Sequence, residues 1–116
     1  HVIEYNAQLP TSFTPYPNYS YQQAGERYKE LAIALGREAN DWQQAVKELQ
    51  LVIKDLMLEV DLPLSLEQAG VDRSKFETEV EEMATIAYND QATGANPRRP
   101  LVEELQEIYW AAYEGL

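Results

Sequence analysis

Apolar residues recur along this chain at intervals of three and four, and nowhere in a sustained alternation of two. The first spacing makes one side of an α-helix apolar and the second would do so for a strand, so the pattern predicts helices and no sheet. Val2, Ile3 and Tyr5 read as the last turn of a helix. Residues 7–20 read as a loop, because Pro10, Pro15 and Pro17 interrupt any regular hydrogen-bond ladder. Phe13, Tyr16, Tyr19 and Tyr21 are too apolar for a free linker and are expected to pin that loop onto a surface.

The first complete helix is expected over residues 21–35, with Ala24, Tyr28, Leu31, Ala32 and Leu35 on one face. Gly36 suits the left-handed position just beyond its end. The second helix carries the longest stripe: Trp42, Ala45, Val46, Leu49, Val52, Ile53, Leu56 and Val60. Asn40, with Gln43 three residues on, resembles a capping box. Gln43, Gln44, Lys47, Glu48, Lys54, Asp55 and Glu59 take the wet side, and Leu62 before Pro63 forces an end. Ser65-Leu66-Glu67-Gln68 reads as a short capped turn closed by Gly70. Asp72 caps a third helix on which Phe76, Val80, Met83, Ala84 and Ala87 share a face. A polar loop follows, and Pro100 is expected at the first position of a last helix whose inward residues are Leu101, Leu105, Ile108, Tyr109 and Ala112. The fold class predicted is all-α, a small helical bundle of four main helices with short connections. Its parts are residues 1–20 (helix end and Pro/Tyr-rich loop), 21–88 (helices), 89–99 (loop) and 100–116 (final helix).

Length and composition narrow the function. With 116 residues there is room for one modest core. Twenty acidic residues oppose 9 basic ones, a formal net charge of −11. Such a surface repels phosphate backbones, so no nucleic acid and no anionic membrane is expected as a partner. No apolar run approaches the roughly 20 residues that span a bilayer. There is no cysteine and only one histidine, His1. A thiolate metal site is excluded, and a terminal histidine without partners is expected to be inert. The start has neither the charge nor the apolar run of a signal peptide, nor an initiator methionine, and it reads as cut from something longer.

Two acidic clusters, Glu77, Glu79, Glu81 and Glu82 and then Glu103, Glu104 and Glu107, are placed by their spacing opposite the apolar stripes. They read as solvated helix faces, and the aromatic group Tyr109, Trp110 and Tyr113 as packing against protein. Ile3, Phe13 and Trp110 are expected to be exposed unless a partner or a further copy covers them. The loop from Asn89 to Arg99 is the one segment with a density of polar groups and special backbone: Asp90, Gln91, Thr93 and Asn96, with Gly94 conformationally free and Asn96 restricted by Pro97.

Four stretches together carry a resemblance. They are His1-Val2-Ile3-Glu4-Tyr5-Asn6-Ala7; Glu26-Arg27-Tyr28 with Leu31-Ala32 and Leu35-Gly36; Leu62-Pro63 followed by Ser65 and Gly70-Val71; and Asn96-Pro97-Arg98. The chain resembles the C-terminal helical part of the iron-dependent alcohol dehydrogenases, with their dehydroquinate synthase-like fold. Leu101, Glu104, Ile108, Tyr109, Ala112 and Tyr113 favour the alcohol dehydrogenase half of the bifunctional aldehyde–alcohol dehydrogenases.

The resemblance implies a parent enzyme that interconverts acetaldehyde and ethanol with NAD and iron. It is expected to be a cytoplasmic homo-oligomer. The iron ligands, one aspartate and three histidines, would precede His1, as would the glycine-rich nucleotide segment. No catalytic residue, metal ligand or cofactor-binding residue is then expected in this chain, whose partner is the remainder of the parent chain. Ala92, Thr93, Gly94, Asn96 and Arg98 are expected near the substrate cleft. At Ala92 the family commonly has cysteine, which leaves this position only its small size as a contribution. The rival expectation is a free-standing acidic helical module that binds protein partners through its aromatic face.

Overall fold

The structure is a computed structural model that describes residues 1–9, 18 and 23–115. The expectations for Phe13, Tyr16, Tyr19 and Tyr21 lie outside the described residues, as does the start proposed for the first complete helix. Among the described residues there is no strand. Five α-helices follow one another: α1 (Val2–Ala7), α2 (Ala24–Ala34), α3 (Trp42–Glu59), α4 (Arg73–Asn89) and α5 (Val102–Glu114). A single 3₁₀ helix, Gln91–Ala95, sits between the last two.

The helices assemble as two groups. In the first, α2 packs on α3 and α1 lies against both; in the second, α4 packs on α5. Each group has its own core. Ala32, Ala45 and Leu49 form one, with Tyr28 and Ala39 packed against it. Phe76, Val80 and Tyr113 form the other, with Leu66, Tyr109 and Trp110 around them. Here Phe76 stacks on Tyr113 with ring centroids 4.6 Å apart and meets Trp110 edge-on at 4.9 Å. Trp110, expected to be bare, is therefore half-buried, because the aromatic cluster on α4 and α5 covers one side of it.

Helix ends follow local chemistry. Asp72 Oδ1 accepts from Lys75 N at 2.9 Å, as expected of that cap. At α3 the cap is Asp41, not Asn40: Asp41 Oδ1 accepts from Gln44 N at 2.7 Å, while Gln44 Oε1 accepts from Asn40 N at 3.0 Å. The cap is shifted by one residue, since Asp offers a charged acceptor to the helix N-terminus, and the returning Gln44 side chain reaches the N–H before the cap and not that of the cap itself. Gly36 takes φ +74° as expected, and Arg37 N donates to Ala32 O in the six-residue closing bond of a Schellman motif. Asp61 closes α3 the same way at φ 56°, with Leu62 N donating to Met57 O at 2.8 Å. The turn after it is held by Ser65 Oγ, which accepts from Gln68 N, and Gln68 Oε1, which accepts from Leu64 N. That turn also supplies N–H donors, Leu66 and Glu67, to the last carbonyls of α5.

Three expectations need correction. The α3 stripe is buried only at Ala45, Val46 and Leu49; Ile53, Leu56 and Val60 are exposed. The cause is length: 18 residues make a helix of about 27 Å, whereas the 11 residues of α2 reach about 16 Å. On α2 itself Leu31 and Leu35 are likewise exposed, because Ala24 and Ala32 make the close approach to its neighbours. Pro100 is not the first residue of α5 but lies two before it, and Leu101 is the N-cap, 59% exposed rather than inward.

Gly25 marks the tightest approach in the first group. A Cβ there would stand 2.9 Å from Ala7 O and 3.1 Å from Trp42 Cβ. Gly25→Ala should cost about 1–3 kcal/mol of stability through overpacking. Leu49→Ala, at a position only 3% exposed, should cost about 2–5 kcal/mol through the cavity it leaves. Urea denaturation of both variants against the parent chain checks the two figures, and unchanged midpoints would contradict this core.

Candidate functional site: a cavity rimmed by the 89–99 segment

The segment after α4 is shaped by side chains bonding to nearby backbone. Asp90 Oδ1 accepts from Ala92 N at 2.7 Å and opens the 3₁₀ helix. Thr93 Oγ1 donates to Ala87 O at 2.6 Å, folding that helix back onto the last turn of α4. Asn96 is extended (φ −61°, ψ 141°), as the following proline requires. Gly94 is buried inside the 3₁₀ helix rather than in an open loop.

Beyond Asn96 the chain crosses to α1. Asn96 Nδ2 donates to Asn6 Oδ1 and to Arg98 O, both at 2.6 Å. Arg98 donates through Nη1 to Gln8 Oε1 at 2.6 Å and through Nη2 to Glu104 Oε1 at 2.8 Å. Its guanidinium also lies 4.2 Å from the centre of the Tyr5 ring. Glu104 completes the set, because its Oε2 accepts from Tyr5 Oη at 2.7 Å and from Leu101 N at 2.8 Å. Seven residues from α1 and its C-cap, the loop, and α5 and its N-cap thus form one network.

Electrostatics follow from these bonds. Burial pushes the Tyr5 hydroxyl well above the usual tyrosine range, and its bond to Glu104 adds to the shift. Burial also pushes Glu104 up, but the Leu101 N–H, the Tyr5 hydroxyl and the Arg98 charge outweigh it and hold the carboxyl below its ordinary value. At neutral pH the tyrosine is a donor and the glutamate an acceptor, so the network orients groups and neither member is poised to exchange a proton.

Beside the network lies a cavity of about 340 Å³. Helix α1 lines it with Val2, Tyr5 and Asn6, and the loop with Ala92, Thr93 and Asn96. Pro100, Leu105, Ile108 and Tyr109 close the far side. A second, more open depression of about 500 Å³ lies between Met83, Ile86, Ala87 and Asp90, and Ala92, Thr93 and Tyr109 border both. The wall is apolar with few polar groups, which suits a small uncharged organic molecule.

Of the residues singled out in the sequence, Ala92, Thr93 and Asn96 come together on this rim. Gly94 is buried behind them and Arg98 turns away into the network. Sequence reasoning missed Tyr5, Asn6 and Glu104. Glu104 was placed on a wet face by its spacing opposite the apolar stripe of the last helix. With Leu101 as N-cap it occupies the third helical position, where a glutamate reaches back to the cap N–H. The remaining acidic residues singled out, Glu77, Glu79, Glu81, Glu82, Glu103 and Glu107, are exposed.

A model of the C-terminal part of the Fe-containing alcohol dehydrogenase family matches residues 1–113. This chain belongs to that family. It is 39% identical over 117 residues to the bifunctional aldehyde-alcohol dehydrogenase AdhE of Escherichia coli K12, covering 98% of this chain and 13% of that protein. It is 35% identical over 113 residues to aldehyde-alcohol dehydrogenase 2 of Entamoeba histolytica, covering 97% of this chain and 13% of that protein. An alcohol dehydrogenase of Thermococcus barophilus is 31% identical over 108 residues, which is 90% of this chain and 26% of that enzyme. The chain thus spans 13% of the length of the aldehyde-alcohol dehydrogenases and matches their alcohol dehydrogenase part.

The family name implies iron, and the donor set here does not fit it. Among the described residues no three His, Cys, Asp or Glu side chains come together as a metal site. The carboxylate of the network beside the cavity, Glu104, is committed to Tyr5, Arg98 and Leu101.

The network has a pH signature. Glu104 is held below its ordinary value of 4.5, so its contribution to stability is complete above that pH and is lost as pH falls through the lower folded value. Tyr5 is raised above 10.0, so its contribution is complete below pH 10 and declines as pH rises further. Glu104→Gln should therefore be less stable than the parent at pH 7, with the gap closing at acid pH. Paired denaturation curves at several pH values check this, and a gap that stays constant down to pH 3 would contradict it.

Proposed function

We propose that this chain forms one wall of the active-site cleft of an iron- and NAD-dependent alcohol dehydrogenase that interconverts acetaldehyde and ethanol. The observation that carries the reading is the cavity rimmed by Ala92, Thr93 and Asn96, inside the segment whose motif resembles the family. Family membership over residues 1–113 favours it over a free-standing interaction module. Iron and the nicotinamide are brought by the rest of the parent protein, and no chemical step is assigned to a residue here. What this chain supplies is shape. Ala92 and Thr93 set the width of the wall, Gly94 lies buried in the same 3₁₀ helix, and Asn96 and Arg98 fix its end.

The remainder of the parent chain and further copies of it are the partners proposed. Exposed Ile53, Leu56, Leu58, Val60 and Leu62 on and after α3 support cover of that kind. A cytoplasmic location is proposed with the activity, and no described helix is long and apolar enough to cross a membrane.

Ala92→Leu in the complete enzyme is the test. Ala92 is exposed in this structure, so the larger side chain has room to fold and instead narrows the rim. A drop in kcat/KM on the order of 10-fold or more is expected, steeper for longer aldehydes, with little change in melting temperature. Glu81→Ala, on the exposed side of α4, is the control and should leave both unchanged. Wild-type kinetic constants for both short and long aldehydes in Ala92→Leu would overturn the reading.

A further inference from the structure

We propose that Glu104 is a positioning residue that sets two sides of the cavity at once. This rests on the reading of that cavity as part of the substrate cleft. Its carboxylate accepts from Tyr5 Oη at 2.7 Å, from Arg98 Nη2 at 2.8 Å and from Leu101 N at 2.8 Å. Those donors belong to α1, to the loop and to the start of α5. Tyr5 is itself a wall of the cavity. Arg98 is not, but its carbonyl accepts from Asn96 Nδ2, and Asn96 is a wall. One carboxylate therefore holds Tyr5 directly and Asn96 through one intermediate residue.

Asn96 has a second tether in Asn6 and Arg98 one in Gln8, but both are neutral, and Glu104 is the charged partner that Arg98 shares with Tyr5. Arg98 spans Gln8 and Glu104 with its two terminal nitrogens while its guanidinium faces the Tyr5 ring at 4.2 Å. Without a carboxylate at 104 the guanidinium loses its charged anchor, and the tyrosine hydroxyl loses its acceptor. Charge-assisted bonds are short and directional, which is what positioning needs. A glutamine at 104 keeps the shape but offers one oxygen where the site uses two. An aspartate keeps the charge at the start of α5 but falls one methylene short. Both should release Tyr5 and Asn96, whereas a purely electrostatic role at the helix start would be met by aspartate.

The test uses the complete enzyme with Glu104→Gln and Glu104→Asp, active-site concentration being measured for each. Both variants should shift the ratio of kcat/KM for short over long aldehydes by roughly 10-fold, because displacements near 1 Å at a reacting site have effects of that size or more. A general loss of folded enzyme would lower the active fraction and leave that ratio alone. Amide hydrogen exchange supplies the second readout: residues 93–98 should exchange faster in both variants while α3 around Leu49 is unchanged. Ala92→Leu is run beside them. If it alters the kinetics while Glu104→Gln and Glu104→Asp leave both the ratio and the exchange at wild-type values, the positioning role is overturned and the cleft reading stands. If exchange accelerates but neither Ala92→Leu nor the Glu104 variants alter the kinetics, the cleft reading falls and the positioning role falls with it. Rescue by aspartate in both readouts would also overturn the proposal.

Discussion

Glu104 draws one donor, Tyr5, from the start of the chain and two, Arg98 and Leu101, from the residues just before it, and the Tyr5 bond joins the two halves of the molecule. Within each half the packing is apolar: Ala32, Ala45 and Leu49 on one side, Phe76, Val80 and Tyr113 on the other. Between the halves run three hydrogen bonds. Tyr5 meets Glu104, Asn6 meets Asn96 and Gln8 meets Arg98. A junction of this kind fixes direction more than it adds energy, since a hydrogen bond contributes only about 1 kcal/mol net but fails when bent. The cavity sits at this junction and takes its outline from it.

The overall form explains the exposed leucines. The molecule measures 42 × 41 × 18 Å, a slab too thin to enclose helices on all sides. A helix in such a slab has a core-facing side and a side with nothing behind it. Helix α3 shows this most clearly, with Leu49 buried while Leu51, Leu56 and Leu58 stand in the open. The apolar stripe of α3 runs further along the helix than the neighbours these residues supply.

That mismatch marks where sequence reasoning held and where it slipped. Helix identity was legible, because a 3.6-residue period survives whatever a helix packs against, and the cap at Asp72 and the left-handed Gly36 depend on adjacent residues only. Burial on α2 and α3 was not, because a stripe says which face is apolar and not how much of it a neighbour covers. The slips at Asn40, by one residue, and at the start of α5, by two, arose where neighbouring residues both suit the position. They had unequal consequences. Moving the cap from Asn40 to Asp41 changed little, whereas a cap at Leu101 brings Glu104 to the third helical position and into the network. Thr93 and Asn96 were legible from composition as polar members of a shaped loop. Their contacts with Ala87 and Asn6 were not, since nothing local in a sequence tells which distant helix a polar loop will meet.

The order in which the parts can form follows from the length of chain each contact closes. The pairs α2 with α3 and α4 with α5 are joined by short connections and gather from local encounters. The bond between Tyr5 and Glu104 closes a separation of 99 residues and carries the loop entropy of nearly the whole chain. Contacts of that reach form late, after the helical pairs have shortened the distance between their ends. A weakened junction therefore lets the two pairs part sooner without slowing the assembly of either, and the cavity between them is the last feature of the fold to appear and the first to be lost.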